Sequence, residues 1–287
     1  MEMFNFSGAE TQLIKKSLRF VLPTEVDQQR YAHNVMILKT ENYLEDCEEL
    51  ALYFSNLGIE NNFARLVFNT AKGAQHKILV NKSAVSGLSF VHAILTELVN
   101  LTCLSKYVEQ HGNIYRFSSE QALADYYYEF LLWLKYHAMA VATRAHALIS
   151  WHELNGDAPP ADGCYQFADV DFHSRQLTES LAQLQCAETV AAWREQLWGF
   201  LEELAFYYGR LALYQGNAEP IDVDASFPAQ EIDDALGSNL CQQLQLILRS
   251  ARDYQGWCAQ KTSIRTVVLE IQKKGSAKFP DTHIPTA

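Results

Sequence analysis

The feature that most constrains the fold of this chain is an apolar pattern at helical spacing that runs from about residue 118 to residue 153. Its apolar positions recur every three or four residues, which places them on one side of an α-helix: Leu123, Tyr127, Phe130, Leu134, Val141 and Leu148. Residues 118–121 (SSEQ) form a capping box that predicts the start of this helix. Similar patterns predict further helices over 11–21, 42–57, 87–107, 171–183, 188–215, 229–252 and 255–273. The predicted helices cover about 60% of the chain, against roughly one third in an average globular protein.

Two short runs break this helical pattern near the N-terminus. Residues 64–69 (ARLVFN) and 76–81 (HKILVN) are strand-like, and the segment between them contains a glycine and no long apolar run. This arrangement predicts a β-hairpin. The expected fold class is therefore α+β and predominantly α-helical, with a small N-terminal hairpin or sheet packed on a helix pair and a C-terminal helical bundle.

The distribution of glycine and proline predicts two domains. Residues 155–170 contain Gly156, Pro159, Pro160 and Gly163, which is typical of a linker. We expect an α+β domain over 1–154 and a helical bundle over 171–273. Residues 274–287 are polar and contain proline, so we expect a mobile tail.

Charge and cysteine content limit the classes of partner and compartment. The chain has 23 Lys and Arg against 34 Asp and Glu, a net charge of −11, which disfavours binding to a nucleic acid. No N-terminal signal segment and no apolar run long enough to span a membrane are visible. The six cysteines form no CxxC pair, so we expect reduced thiols and a cytoplasmic protein.

One segment has the form of a catalytic motif. Residues 76–100 are expected to form a strand, a short loop and a helix, and the helix carries the sequence TELVN at 96–100. This segment resembles the active-site helix of zincin metallopeptidases, whose HExxH pattern places two histidines on one helical face to bind zinc. In that pattern the glutamate activates a zinc-bound water. The resemblance implies that Glu97 occupies the position of the general base, and Thr96 and Asn100 those of the histidine ligands.

The resemblance extends to the next predicted helix. Glu129 lies within the sequence YYYEF at 126–130, 32 residues after Glu97. In glutamate-type zincins a carboxylate from this helix is the third metal ligand, so the resemblance implies that role for Glu129. The whole resemblance covers about residues 62–135. Tyr126 and Trp133 are close to Glu129 in sequence and are candidates for the wall of a binding groove.

The departures from the zincin pattern decide the expected chemistry. Thr96 and Asn100 have neutral side chains that bind zinc poorly, and one glutamate does not supply the three protein ligands of a catalytic site. We therefore expect no metal and no cofactor, and Glu97 would be a vestigial general base. His92, one turn before Thr96, is expected to be a partly buried or capping residue rather than a ligand.

Three functions are compatible with these residues. The first is a non-catalytic zincin-like protein that acts by binding or regulating a protein partner. The sequence specifies neither the identity of this partner nor the oligomeric state of the chain. The second is a metal-independent or residual hydrolase that uses Glu97 and Glu129 as a carboxylate pair. The third is a helical ligand-binding or structural protein with no relation to zincins. We favour the first, which is not an enzyme.

Overall fold

A computed structural model describes residues 1–49, 63–69, 75–112, 126–156, 170–214 and 219–279. The predicted capping box at 118–121, most of the predicted linker and the end of the predicted tail lie outside these residues. The chain divides into two compact units. The first comprises Met1–Ala122 and Ala138–Gly163, and the second comprises Leu123–His137 and Cys164–Ala287.

The first unit contains the sheet and the helices around it. Its elements are β1 (Glu2–Phe4), α1 (Gly8–Ser17), α2 (Glu25–Ala32), β2 (Val35–Thr40), α3 (Tyr43–Glu49), β3 (Ala64–Val67), β4 (His76–Asn81) and α4 (Ser89–His111). The long helix α5 (Tyr127–Asn155) follows, and its first part belongs to the second unit while its remainder belongs to the first.

The strands form one mixed sheet with the order β1-β2-β4-β3. β1, β2 and β4 are parallel, with Ile37 opposite Ile78. β3 pairs with β4 in the antiparallel direction, with Leu66 opposite Ile78, which confirms the predicted hairpin. The hairpin is thus half of a larger sheet, and the parallel strands β1 and β2 complete it.

Both faces of the sheet are covered. In β4, the consecutive residues Ile78, Leu79 and Val80 are all buried, and successive strand residues point to opposite faces. Tyr43 and Cys47 of α3 pack with Leu79 on one face. Helix α4 contacts β3 and β4, so the helix that carries the TELVN segment lies next to the hairpin.

The described residues of the second unit form helices and the connections between them, with no strand. Besides the start of α5 this unit contains α6 (Val170–Gln185), α7 (Val190–Leu211), α8 (Pro220–Val223), α9 (Ala229–Leu236), α10 (Leu240–Ser250) and α11 (Tyr254–Ser276). α6 packs against α7, and α10 packs against α11. Large side chains fill its core: Phe130, Trp133, Trp193, Phe200, Tyr207 and Trp257 are each no more than 2% exposed.

The single helix predicted over 229–252 is wrong, because two helices occupy this range. Gly237 ends α9 with a φ of 110°, and Asn239 precedes α10 with a φ of 62°. Only glycine adopts the first conformation readily, so the chain turns here before α10 begins. The predicted fold class, α+β and predominantly helical, is confirmed. Among the described residues, no helix is both long and apolar enough to cross a membrane.

Candidate functional site

Helix α4 places the TELVN segment in a buried position. Of its 23 residues, 14 are buried, including the polar Thr96 and Glu97, which are each 6% exposed. Apolar residues recur along the helix at helical spacing and hold it against its neighbours. A carboxylate that is buried to this degree requires hydrogen-bond donors, because its desolvation otherwise costs several kcal/mol.

Glu97 receives these donors from the sheet and from its own helix. The backbone N–H of Leu66 in β3 donates to Glu97 Oε2 at 3.0 Å, and the Asn100 side-chain amide donates to the same oxygen at 3.3 Å. The first bond joins the hairpin to α4 across 31 residues of sequence. Glu97 therefore fastens the edge strand β3 to the helix.

The charge of Glu97 also acts on α3. Burial raises the pKa of Tyr43 above its usual range, and Cys47 and Glu97 add to this rise while Arg65 opposes it. Burial likewise raises the pKa of the Cys47 thiol, against the effect of Arg65. Tyr43 and Cys47 are thus held in their neutral forms near the carboxylate.

The two residues at the presumed histidine positions make local hydrogen bonds. Thr96 Oγ1 donates to the carbonyl of His92 at 2.9 Å, one turn earlier, and Asn100 donates to Glu97 as described. The His92 ring lies 3.1 Å from Thr143 Oγ1 through Nε2, and it packs edge-on against His146 with ring centroids 5.5 Å apart. His92 is half-buried against the part of α5 that belongs to the same unit.

Among the described residues, no group of three or more His, Cys, Asp or Glu side chains is arranged to hold a metal ion. The side chains that have the required position on α4 are a hydroxyl and an amide, which are weak zinc ligands. The chemistry of this donor set therefore does not fit a catalytic zinc ion.

Glu129 lies in the second unit, whereas Glu97 lies in the first. Its side chain is buried, and it forms a two-point ion pair with Arg265 of α11, with Nε to Oε1 at 2.7 Å and Nη2 to Oε2 at 3.0 Å. The guanidinium also lies 3.7 Å from the centre of the Tyr126 ring. Both carboxylate oxygens of Glu129 thus hold a structural partner.

Sequence analysis missed Arg265, because it lies 136 residues from Glu129 and no local pattern links the two. The same helix carries Lys261, whose ammonium lies 4.8 Å from the centre of the Tyr126 ring. Tyr126 is therefore covered by two cations from α11, and its φ of 62° places it in the left-handed region at the start of α5.

Trp133, the second candidate for a groove wall, is fully buried. Its indole N–H donates to the Ala251 carbonyl at 2.8 Å, and its ring stacks on His137 at a centroid distance of 4.8 Å. Phe130 and Trp257 also lie against it. A ligand could reach Trp133 only by displacing these neighbours.

A further pair of carboxylates lies on α7, within the aromatic-rich stretch of that helix. Glu202 is 8% exposed, and burial raises its pKa. Burial also raises the pKa of Glu203 to about 7, and repulsion from Glu202 and Glu179 adds to it, while a hydrogen bond with Ser180 opposes it. Neither Glu202 Oε2 nor Glu203 Oε2 has a hydrogen-bond partner among the residues that the structure describes.

We expect the raised pKa of Glu203 to make folding stability depend on pH. Between the ordinary pKa of a glutamate, 4.5, and the raised pKa of about 7, the folded state binds more protons than the unfolded state, so the free energy of unfolding falls as pH rises through this window. Because the group is partly solvated, we expect a loss of only about 1–2 kcal/mol. Urea denaturation of the wild type and of Glu203→Gln at several pH values measures it, since the glutamine variant lacks this titration.

The exposed Glu195 on the same helix offers the matched control. Glu195→Gln should follow the wild-type pH dependence between these limits. If Glu203→Gln and Glu195→Gln show the same pH profile, burial does not perturb Glu203 in the folded protein.

Comparison of the chain with protein-family models, with curated proteins and with solved structures finds no match in any of the three.

Proposed function

We propose that this chain is a non-catalytic zincin-like protein that acts by binding a protein partner. The observation that carries the proposal is the environment of Glu97, whose buried Oε2 accepts hydrogen bonds from the Leu66 backbone and from Asn100. A zincin general base faces a metal-bound water, whereas this carboxylate stabilises the contact between a strand and a helix. The resemblance then concerns the scaffold, and the catalytic chemistry is lost.

The neutral side chains at the two presumed ligand positions support the same proposal. Zinc is needed to acidify the attacking water, and a glutamate without the metal supplies neither a nucleophile nor an oxyanion donor. The hydrogen bond from Leu66 in the hairpin to Glu97 in α4 fits a zincin-like arrangement of strand and helix. We further infer a cytoplasmic location and a partner other than a nucleic acid, from the cysteine pattern and the net charge of −11.

The residual-hydrolase alternative is less well supported. A carboxylate pair in catalysis must transfer protons to and from a substrate. Glu129 instead holds Arg265 through both oxygens, and Glu97 holds Leu66 and Asn100. The remaining alternative, a helical ligand-binding protein, is favoured by a cleft in the second unit, which is described below.

Substitution of Glu97 tests the proposal. Glu97→Gln keeps an acceptor for the Leu66 N–H, so we expect a loss of about 1 kcal/mol in unfolding free energy, whereas Glu97→Ala should lose about 2–3 kcal/mol. Neither the wild type nor Glu97→Gln should cleave casein in the presence of zinc. Urea denaturation and a fluorescent casein assay give the two readouts.

The opposite outcome is also well defined. Stoichiometric zinc in the purified protein, or casein cleavage that Glu97→Gln abolishes, would contradict a non-catalytic role. Affinity purification of the full chain adds the positive test: a protein recovered at constant stoichiometry with both the wild type and Glu97→Gln supports partner binding.

A further inference from the structure

A cleft of about 250 Å³ lies in the second unit between α7, α8, α9 and α10. Its polar lining includes Tyr208, Glu219, Asp233 and Gln242, and Phe227 and Ile232 contribute apolar surface. Ligand sites for drug-sized molecules have volumes of roughly 300–1,000 Å³, so this cleft suits a smaller ligand.

Tyr208 presents an unused polar group to the cleft. The residue is 3% exposed, and no hydrogen bond joins its hydroxyl to any residue that the structure describes. Its ring packs against Tyr207 and Phe227, with centroids 6.3 and 6.4 Å away. Buried tyrosine hydroxyls normally have a hydrogen-bond partner, so this one is available to a ligand in the cleft.

Among the described residues that line the cleft, the charged ones are Glu219 and Asp233, which are both acidic. Glu219 Oε1 accepts from Gln242 Nε2 at 3.1 Å, and Asp233 Oδ1 accepts from the Asn239 N–H at 3.2 Å. In each of these hydrogen bonds one carboxylate oxygen accepts, and the bonds stabilise the residues that line the cleft. No lysine or arginine is among the described residues that line the cleft.

The ionisable groups in the wall respond to this negative field. Burial raises the pKa of Tyr208 well above its ordinary value, and Cys241, Tyr207, Glu219 and Asp233 add to the rise. Burial also raises the pKa of the Cys241 thiol to about 12, with a further contribution from Asp233. Both groups therefore stay neutral, and an anion would be repelled.

The positive end of the α10 helix dipole opposes the negative potential of the cleft only weakly. A helix N-terminus carries about half a positive charge, whereas the cleft is lined by two carboxylates, those of Glu219 and Asp233. A cation therefore gains more from the carboxylates than it loses to the helix dipole. The apolar surface of Phe227 and Ile232 suits a short hydrocarbon chain attached to that cation.

We propose that this cleft binds a small organic cation, a primary ammonium on a short apolar chain, with the ammonium between the carboxylates of Glu219 and Asp233 and the Tyr208 hydroxyl. The hydroxyl oxygen accepts a hydrogen bond from the ammonium, and the chain lies against Phe227 and Ile232. This site is independent of Glu97 and of the zincin resemblance, so it can be present whether or not the proposed function holds.

Titration of the full-length protein with n-butylammonium chloride tests the site, with n-butanol as the neutral probe of similar shape and with sodium chloride to hold ionic strength constant. Binding is measured by calorimetry and by shifts of the backbone amide signals of residues 239–245. We expect saturable binding of the ammonium and at least about tenfold weaker binding of the alcohol.

Two variants and one control locate the ammonium. Asp233→Asn should weaken binding about tenfold, and Tyr208→Phe, which keeps the buried ring, about threefold. Glu231→Gln removes the same charge from the exposed face of α9 and should leave the affinity within about twofold of the wild type. Circular dichroism confirms that each variant is folded.

Three results would overturn the proposal. The first is the absence of saturable ammonium binding to the wild type. The second is equal affinity for n-butanol, which would show an apolar pocket without charge selection. The third is an equal effect of Glu231→Gln and Asp233→Asn, which would show only a diffuse attraction to an acidic surface.

Discussion

Replacement of Gly275 by alanine should lower the free energy of unfolding by about 3 kcal/mol or more, although it adds one methyl group to a helix. A Cβ at Gly275 of α11 would lie 1.8 Å from Cζ2 and 2.0 Å from Cη2 of Trp193 on α7. Trp193 is 2% exposed, and protein interiors are close-packed, so its ring cannot move aside easily. The backbone of α11 must therefore move away from α7, which opens the surrounding core. Urea denaturation followed by circular dichroism measures the loss.

Gly199 of α7 provides the control, since a Cβ there would meet no atom of the described neighbouring residues within 4 Å. Gly199→Ala should stabilise the protein by about 0.5–1 kcal/mol, because alanine favours the helix and meets no obstacle. Trp193→Leu should relieve the Gly275→Ala clash, so the double variant should lose less stability than the sum of the two single changes. Additive losses would show that the clash with Trp193 is not the cause.

Loss of the Asp224 carboxylate should be the second large effect, with Asp224→Ala costing about 3–5 kcal/mol. Asp224 is 3% exposed, and the Ser174 hydroxyl and the Tyr207 hydroxyl donate to its Oδ2. The backbone N–H and the hydroxyl of Ser226 donate to its Oδ1 at 3.0 and 2.6 Å. Removal of the acceptor leaves the buried hydroxyls of Ser174 and Tyr207 without this partner, and each adds to the loss. Thermal and urea unfolding provide independent measurements.

A variant of Asp222, two residues earlier, is the control for the general loss of one negative charge. Asp222 is exposed, and its carboxylate accepts from the Glu219 N–H at 3.3 Å. Asp222→Ala should cost no more than about 1 kcal/mol. Asp224→Asn keeps one acceptor oxygen and should fall between the two alanine variants. Equal losses at positions 222 and 224 would remove the buried hydrogen-bond network as the explanation.

Local sequence patterns predict the helices and strands of this fold better than they predict which elements pack or pair with each other. The apolar periodicity that predicts helices at 87–107 and 255–273 corresponds to α4 and α11, because each helix buries apolar residues that recur at helical spacing. The strand β1 has only three residues, and β2 pairs in parallel with β1 and β4, which are distant in sequence. Such pairing leaves no local signature, so only the hairpin was predictable.

In the candidate site, too, the position of a residue on its helix could be predicted, but most of its contacts could not. The position of Glu97 on a helix beside the hairpin follows from the sequence, and the hydrogen bond from Leu66 then fixes the role of the carboxylate. The partner of Glu129 could not be predicted in this way, because Arg265 lies six helices later, on α11. Trp133 looks like a groove residue beside tyrosines, but its packing against Trp257 and its bond to Ala251 depend on residues more than a hundred positions away.

Helix α5 has a consequence for any attempt to divide the protein into fragments. Its residues up to His137 belong to the second unit and those from Ala138 to the first, so the boundary falls inside a continuous helix. A fragment starting at the predicted linker would lack Phe130 and Trp133, and the rings of Tyr254 and Trp257 that pack against them would face water. Therefore, cleavage of the chain between two helices cannot separate the two units into intact fragments.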